Sequence, residues 1–394
     1  MIQPVFTAVD LFSGCGGMSY GFHKHPAFTI RAAADAELGK PSSPAGSLKC
    51  NSTYELNMGI TPKRINLASV APENLRAELG LSRSEKIDVL LCCPPCTGFS
   101  RANPENHMAN DHRNSLVAKA ALFAGALSPD IVMMENAREV LTGNFPEHFA
   151  AFRSQMKLLG YEVEANVHRL DRFGLPQIRE RSLVIAVKKG IGKIRSLSDL
   201  WEGATISPDA LTVRNALDFK ARRGDAADRN PTFSSPALKA RMAAIPKDGG
   251  SWIDLTRTAR GKKLMTPAMQ KIVDAGKIGS HPDVYGRMAW SRPAPTIKRE
   301  CAHVGNGRYA HPEEDRLLTV REMARLQGFP LEFRFGGNAL SNQYRHIGDA
   351  VPPLISHQLA HAAHWMLTGQ RPELKDTFLE GTHLKSRDIE HCLV

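Results

Sequence analysis

Five short apolar runs punctuate the first half of this chain, and each stops at a turn. They are Phe6–Phe12, Phe28–Ala34, Ile87–Cys92, Asp130–Met134 and Leu183–Val187. Between them lie segments whose apolar residues recur at three- and four-residue spacing, as in Ser115–Leu127 and Pro146–Leu159. Strands alternating with amphipathic helices bury both sheet faces most simply as a mostly parallel, doubly wound sheet, so the expected class is α/β. Ligands on such sheets bind at the carboxyl ends of the strands. Function is therefore sought in the residues that follow each run. Helical pattern returns at Thr319–Gln327 and Pro352–Leu367, and the polar last two dozen residues read as a loose tail.

Composition narrows the class further. With 394 residues, 42% hydrophobic and 23% charged, the chain can bury a full α/β domain plus a smaller one, and is not disordered. No run reaches the roughly 18 apolar residues of a membrane span, so no membrane partner is expected. The opening Met1-Ile2-Gln3-Pro4 lacks a basic, then apolar, leader pattern. Seven cysteines, sparsely spread, read as reduced thiols, which points to the cytoplasm. The formal charge is +11 and it is regional: Lys188 to Trp290 holds nineteen Lys and Arg against ten Asp and Glu. That loop-rich stretch includes Arg222-Arg223, Arg257, Arg260 and Lys262-Lys263. It suits phosphate neutralisation, with a solvated insertion as the plainer alternative.

The first run ends in Asp10-Leu11-Phe12-Ser13-Gly14-Cys15-Gly16-Gly17. Such a turn admits a ligand close to the backbone, and its spacing fits a nucleoside better than a pyrophosphate. Asp35, at the end of the second run, stands where a carboxylate can accept ribose hydroxyls; a solvent-facing turn acid is the alternative. The third run ends in Cys92-Cys93-Pro94-Pro95-Cys96. No second cysteine or histidine pair supports a structural zinc, so no metal is expected. Cys96 follows two prolines that fix the backbone, and a thiolate presented there is a strong nucleophile. The fourth run leads into Glu135-Asn136, a candidate general acid reaching the same cleft. Arg179 and Arg181 alternate along an extended segment, so both guanidiniums point the same way.

In this order the chain resembles the DNA (cytosine-5) methyltransferases, from about Phe6 to Ala363. The matched motifs are Asp10 to Gly17, Pro94-Pro95-Cys96, Glu135-Asn136, Gln177 through Arg181, Arg292 to Ile297, Leu318 to Glu322, Leu326 to Pro330, and Ile347 to Pro352. The resemblance implies a class I, Rossmann-like fold with S-adenosylmethionine as methyl donor and double-stranded DNA as partner. It implies a catalytic domain over 1–187, a target-recognition domain over 188–281, a return to the catalytic domain over 282–369, and a polar tail over 370–394. Phe12 would stack on adenine, Gly14, Gly16 and Gly17 would admit the methionine end, and Asp35 would hold the ribose. Leu11, Asn66, Pro95, Leu116, Asp349 and Val351 complete the implied cofactor set. Cys96 would attack C6 of a flipped cytosine, Glu135 would engage N3, and Arg181, supported by Arg179, would bind O2. Arg101 to Arg113 would form a closing lid.

Several positions depart from the family. Asn66 stands where an aspartate is usual, Ala36 replaces a larger residue, Ala137 replaces valine, and His346 and Asp349 replace glutamine and asparagine. His357, His361 and His364 share a helical face, a spacing that suggests a metal but has no place in this chemistry. The expected setting is a restriction-modification or related defence system, with a cognate component and monomeric action. Two alternatives stay open: the same chemistry on tRNA, and a silent DNA-binding relative.

Overall fold

The structure is a computed structural model that describes residues 6–38, 47–95, 98–99, 110–220, 225–233, 235–337 and 339–391. Six strands make one sheet: β1 (Phe6–Leu11), β2 (Phe28–Ala34), β3 (Val89–Cys92), β4 (Ile131–Ala137), β5 (Tyr161–Arg169) and β6 (Glu180–Lys188). Their order is β2-β1-β3-β4-β6-β5, and only β6 runs against the others. Strands buried on both faces need unbroken apolar sequence, which is why β3, Val89-Leu90-Leu91-Cys92, is wholly buried. The chain steps from β1 outward to β2 and then across to β3. That reversal opens a crevice between the ends of β1 and β3, where the Gly-rich turn and the Pro94-Pro95 segment emerge.

Two differences from the sequence reading matter. β5 is not among the five apolar runs, because Tyr161-Glu162-Val163-Glu164-Ala165-Asn166-Val167 alternates instead; it is an edge strand with many exposed residues. β4 continues three residues past Met134, so Glu135 and Asn136 are strand residues, held by pairing with β6 rather than by a loop.

Helices α1 (Gly17–Lys24), α2 (Cys50–Met58), α3 (Ser115–Leu127), α4 (Glu147–Leu158), α5 (Val320–Leu326), α6 (Leu340–Asp349) and α7 (Pro353–Thr368) cover the sheet and its edges. α1 and α7 pack on one face, while α3 and α4 bury Val117, Phe123, Phe152 and Met156 on the other. α1 and α7 approach closely because Gly17 and Gly21 lack side chains. A Cβ on Gly21 would stand 2.1 Å from His357 N. Ser356 Oγ accepts from Gly21 N at 3.0 Å and donates to Gly17 O at 3.0 Å, tying α7 to the start of α1. At the far end of this interface His25 joins His357, His361 and His364, with ring centroids of His25 and His361 4.3 Å apart. Burial pushes His25 down to about 3 and His361 to about 2. Among the described residues no three His, Cys, Asp or Glu side chains are placed to hold a metal ion.

Beyond β6 the chain becomes a set of short helices and turns that bury Met242, Trp252, Leu255, Met269 and Met288, continuous with the core beneath α1 and α7. Its first strand, β7 (Ala204–Ile206), pairs antiparallel with β8 (Ile389–His391). The polar tail is therefore packed rather than loose. Thr377, Leu379, His383 and Leu384 are buried, and the carbonyl of Gly381 accepts from Arg325 and from Leu331 N. Leu384 fills the space that a side chain on Gly174 would take, so the tail needs no helix face of its own. No helix among the described residues is long and apolar enough to cross a membrane.

Candidate active site

β1 delivers the Gly-rich turn. Leu11 is fully buried in the sheet core, so it presents backbone alone, and its carbonyl accepts from Cys93 N at 3.3 Å. Phe12 then takes φ 62°, a left-handed conformation that costs a bulky residue energy and is retained where position matters. Gly14, at φ 52°, has no atom within 4 Å of where a Cβ would stand, so one side of the turn is open. Gly17 is the reverse case: a Cβ there would sit 2.3 Å from Val351 O, so the α7 segment is pressed against the turn. Ser13 Oγ is buried without a hydrogen-bond partner. Behind the turn, Tyr54 donates to Ser19 Oγ at 2.7 Å and Ser19 to Asp10 Oδ2 at 2.6 Å. Burial pushes the Asp10 carboxyl up to about 7.

Asp35, just past β2, faces the same turn. Its Oδ2 accepts from Gly14 N at 2.9 Å, and its Oδ1 from Glu37 N at 2.7 Å and Cys50 Sγ at 3.6 Å, which orients the carboxyl and leaves a lone pair on Oδ2. Burial raises its pKa against the lowering by these bonds. Asn66 is exposed, and its Oδ1 already accepts from Ala68 N at 3.0 Å, so one of its two acceptor sites is used locally. Leu116 is buried at the start of α3 and Val351 at the turn before α7. Asp349 pairs with Arg299 at 3.2 Å, and burial pushes it up to about 6.

The base-side cluster lies at the ends of β3, β4 and β6. Arg181 Nε stands 3.1 Å and Arg179 Nη2 3.9 Å from Glu135 Oε1. The alternation of these arginines thus brings both to one carboxyl. Arg179 is almost wholly buried, with Nη1 donating to Ile297 O at 3.1 Å and Nη2 to Ala350 O at 3.5 Å. Both carbonyls come from the late segment of the chain, so Arg179 joins the two ends of the catalytic fold. Cys96 lies outside the described residues, as does most of the expected lid. Both flanks of Cys96 are anchored. Asn136 Nδ2 donates to Pro94 O at 3.0 Å, and a Cβ on Gly98 would meet Asn114 Oδ1 at 2.2 Å. Pro95 is exposed at the cleft.

Asn136, Gln177 and Gln327 stood within the motifs, but their supporting contacts were not legible there. Asn136 was part of a motif, yet its tie to Pro94 needed the fold to appear. Gln177 and Gln327, both fully buried, bond to each other at 2.7 Å between the arginine strand and the end of α5. Gln327 also donates to Ala350 O at 2.9 Å, the carbonyl that Arg179 uses. Arg299 carried no signal beyond its charge.

In the basic stretch 188–290 the cations divide. Arg287 is fully buried and donates to the carbonyls of Met242, Ile245, His311 and Glu314. Arg257, Arg260, Lys262 and Lys263 are exposed around the buried Gly261. Arg222-Arg223 lie outside the described residues.

A family model for C-5 cytosine-specific DNA methylases matches residues 6–365. Type II methylase M.HgiDII of Herpetosiphon aurantiacus is 29% identical over 97% of this chain and 98% of its own length. Type II methyltransferase M1.BsuMI of Bacillus subtilis is 29% identical over 89% of this chain and 78% of its own. Among solved structures, a DNA modification methyltransferase encoded within an E. coli prophage matches with TM-score 0.61 and 21% identity, over 93% of this chain and 100% of that one. The carboxyl and paired guanidiniums where β4 and β6 meet, the glycine turn after β1, and these matches agree: the chain belongs to the C-5 cytosine-specific DNA methylase family and is a DNA (cytosine-5) methyltransferase.

Proposed function

We propose that this enzyme methylates C5 of a cytosine extruded from a specific duplex sequence, through a covalent bond between Cys96 and C6. The convergence of Arg179 and Arg181 on Glu135, beside the anchored Pro94-Pro95 segment, carries the reading. Cytosine C5 is a weak nucleophile and is buried in stacked DNA, so the base must leave the helix. The Cys96 thiolate adds to C6 while Glu135 shares a proton with N3 and Arg181 donates to O2. C5 then takes the methyl group, its proton is removed, and Cys96 is eliminated with restoration of the 5,6 double bond. Arg179, locked to two carbonyls, acts by holding Glu135 and Arg181 in register.

The residues around the glycine turn fit S-adenosylmethionine, the donor the family implies. Gly14 faces open space, Ser13 Oγ is buried and unpartnered, and Asp35 keeps a lone pair on Oδ2 for a hydroxyl. When bound, this cofactor supplies an electrophilic methyl carbon carried on a sulfonium. Phe12 would pack on the adenine, Asp35 accept from the ribose, and Asn66 Oδ1 use its second lone pair toward the adenine amine. Gly16 and Gly17 would admit the methionine end, with Leu116, Pro95 and Val351 closing the walls. Exposed cations of the recognition region would bind phosphates, and the Type II names of the relatives support a restriction-modification setting. Transfer of tritiated methyl groups to duplex DNA but not to tRNA is the expected result. Transfer to tRNA alone would overturn the substrate assignment, and bisulfite sequencing of DNA from expressing cells would give the target.

A further inference from the structure

His346 lies in α6, where the family usually carries glutamine, and it is buried with both ring nitrogens bonded. A carbonyl partner requires the proton on Nε2, which donates to Leu48 O at 2.7 Å, so Nδ1 accepts from Thr53 Oγ1 at 3.1 Å. The Thr53 hydroxyl also accepts from Gly336 N at 2.9 Å. The carbonyl of His346 accepts from Cys15 Sγ at 3.4 Å, inside the glycine turn. From Leu48, two more bonds lead to Asp35. Leu48 N donates to Glu37 O at 3.3 Å, and Glu37 N donates to Asp35 Oδ1 at 2.7 Å. α2, which begins two residues on, adds Cys50 Sγ to the same Oδ1 at 3.6 Å and Asn51 Nδ2 to Asp35 O at 3.5 Å. Glu37 at φ 53° and Lys49 at φ 55° are left-handed, a conformation that persists only where neighbours over-determine it. His346 and Asn342, whose Nδ2 donates to Ser47 O at 3.3 Å, anchor this stretch to α6.

We propose that His346 is a positioning residue of the donor site: by holding Leu48 and Thr53 it sets the Asp35 carboxyl for a ribose hydroxyl of the donor. This rests on the assignment of the S-adenosylmethionine ribose to Asp35. The Oδ1 of Asp35 is committed to Glu37 and Cys50, so the carboxyl is fixed in rotation and its Oδ2 keeps a lone pair for the hydroxyl. A hydrogen bond to such an acceptor weakens steeply as its angle drifts, so the setting of the carboxyl governs what the hydroxyl contributes. Without the imidazole, Leu48 O and the Thr53 hydroxyl lose their partners, and the stretch can relax at Glu37 and Lys49. Glutamine offers the same pair of groups, an amide N–H for Leu48 O and an amide oxygen for Thr53, on a side chain with one more rotatable bond. His346 acts on the ribose through Asp35.

Calorimetric titration of the full chain with S-adenosylhomocysteine and its 2′,3′-dideoxy analogue, which lacks the ribose hydroxyls, tests this without reference to turnover. The unaltered protein should bind S-adenosylhomocysteine at least about tenfold more tightly than the analogue. His346→Leu, which removes both nitrogens, should cut that ratio to about threefold or less, while affinity for the analogue changes less than about twofold. His346→Gln should keep the ratio within about twofold of the unaltered protein's. A merely structural role would make His346→Leu weaken both molecules equally. That result, an unchanged ratio, or a His346→Gln that behaves like His346→Leu overturns the proposal and leaves the ribose assignment intact. Equal affinity of the unaltered protein for the two molecules removes the ribose assignment and the proposal with it. Should His346→Leu fail to fold, Thr53→Val carries the same test, because it removes the hydroxyl that bonds Nδ1.

Discussion

The sheet and the basic stretch 188–290 both depend on arginine, but they hold it differently. In the sheet, Arg179 is buried and spans Ile297 O, Ala350 O and Glu135, so its position is over-determined. Around Gly261 the cations Arg257, Arg260, Lys262 and Lys263 are exposed, and Arg257 pairs with Asp254 at 3.0 Å. A reacting base needs donors fixed to a fraction of an ångström. A phosphate chain needs charge density, and mobile side chains supply it. Within the basic stretch 188–290 itself, Arg287 obeys the first rule: it is buried, bonds to backbone carbonyls and serves the fold.

The comparison breaks or sharpens under mutation. Cys96→Ala should abolish methyl transfer while duplex binding by filter retention stays within about twofold; residual turnover would remove the covalent step. Arg179→Lys should follow, because a lysine cannot span two carbonyls and a carboxyl. We expect kcat to fall at least about a hundredfold, with a loss of roughly 2–4 kcal/mol in denaturant unfolding from uncompensated buried groups. Unchanged stability would mean that Arg179 is not held as described. The double variant Lys262→Ala/Lys263→Ala should leave kcat at saturating DNA unchanged and weaken DNA binding. The slope of log affinity against log salt should flatten by about 2, provided both cations meet phosphates.

The smallest effect concerns acid. His25 and His361 are neutral in the fold, so the folded chain binds fewer protons than the unfolded one. The stability they permit is complete above the unfolded imidazole value of about 6.5 and is lost progressively as pH falls below it. Tm should therefore decline from about pH 6.5 downward. Hydrogen exchange in α1 and α7 should accelerate before exchange around Trp252 does. Simultaneous loss in both regions would show that the two are not independent units of stability.

Much of the site was legible before the fold was known. Glycine spacing, the proline pair before Cys96, and the alternation of Arg179 with Arg181 each state a local backbone requirement, and local requirements are written in consecutive residues. What was hidden involves partners distant in sequence. Gln177 and Gln327 are 150 residues apart, and Arg179 reaches Ala350 across 171. Edge strand β5 escaped because alternation with charged residues weakens its apolar signal. The packed tail escaped because two leucines make no periodicity.

By itself the sequence determined the strand–helix alternation, the reaction class through an ordered set of motifs, and the region that carries the excess charge. These follow from burial patterns and residue chemistry, which act over a few positions. Only the tertiary structure decided which charges are free and which are spent. Arg287 and Arg260 are alike as letters, yet one is enclosed by carbonyls and the other stands in water. Desolvation and the geometry of partners set the energy of a charge, and both are properties of the folded chain.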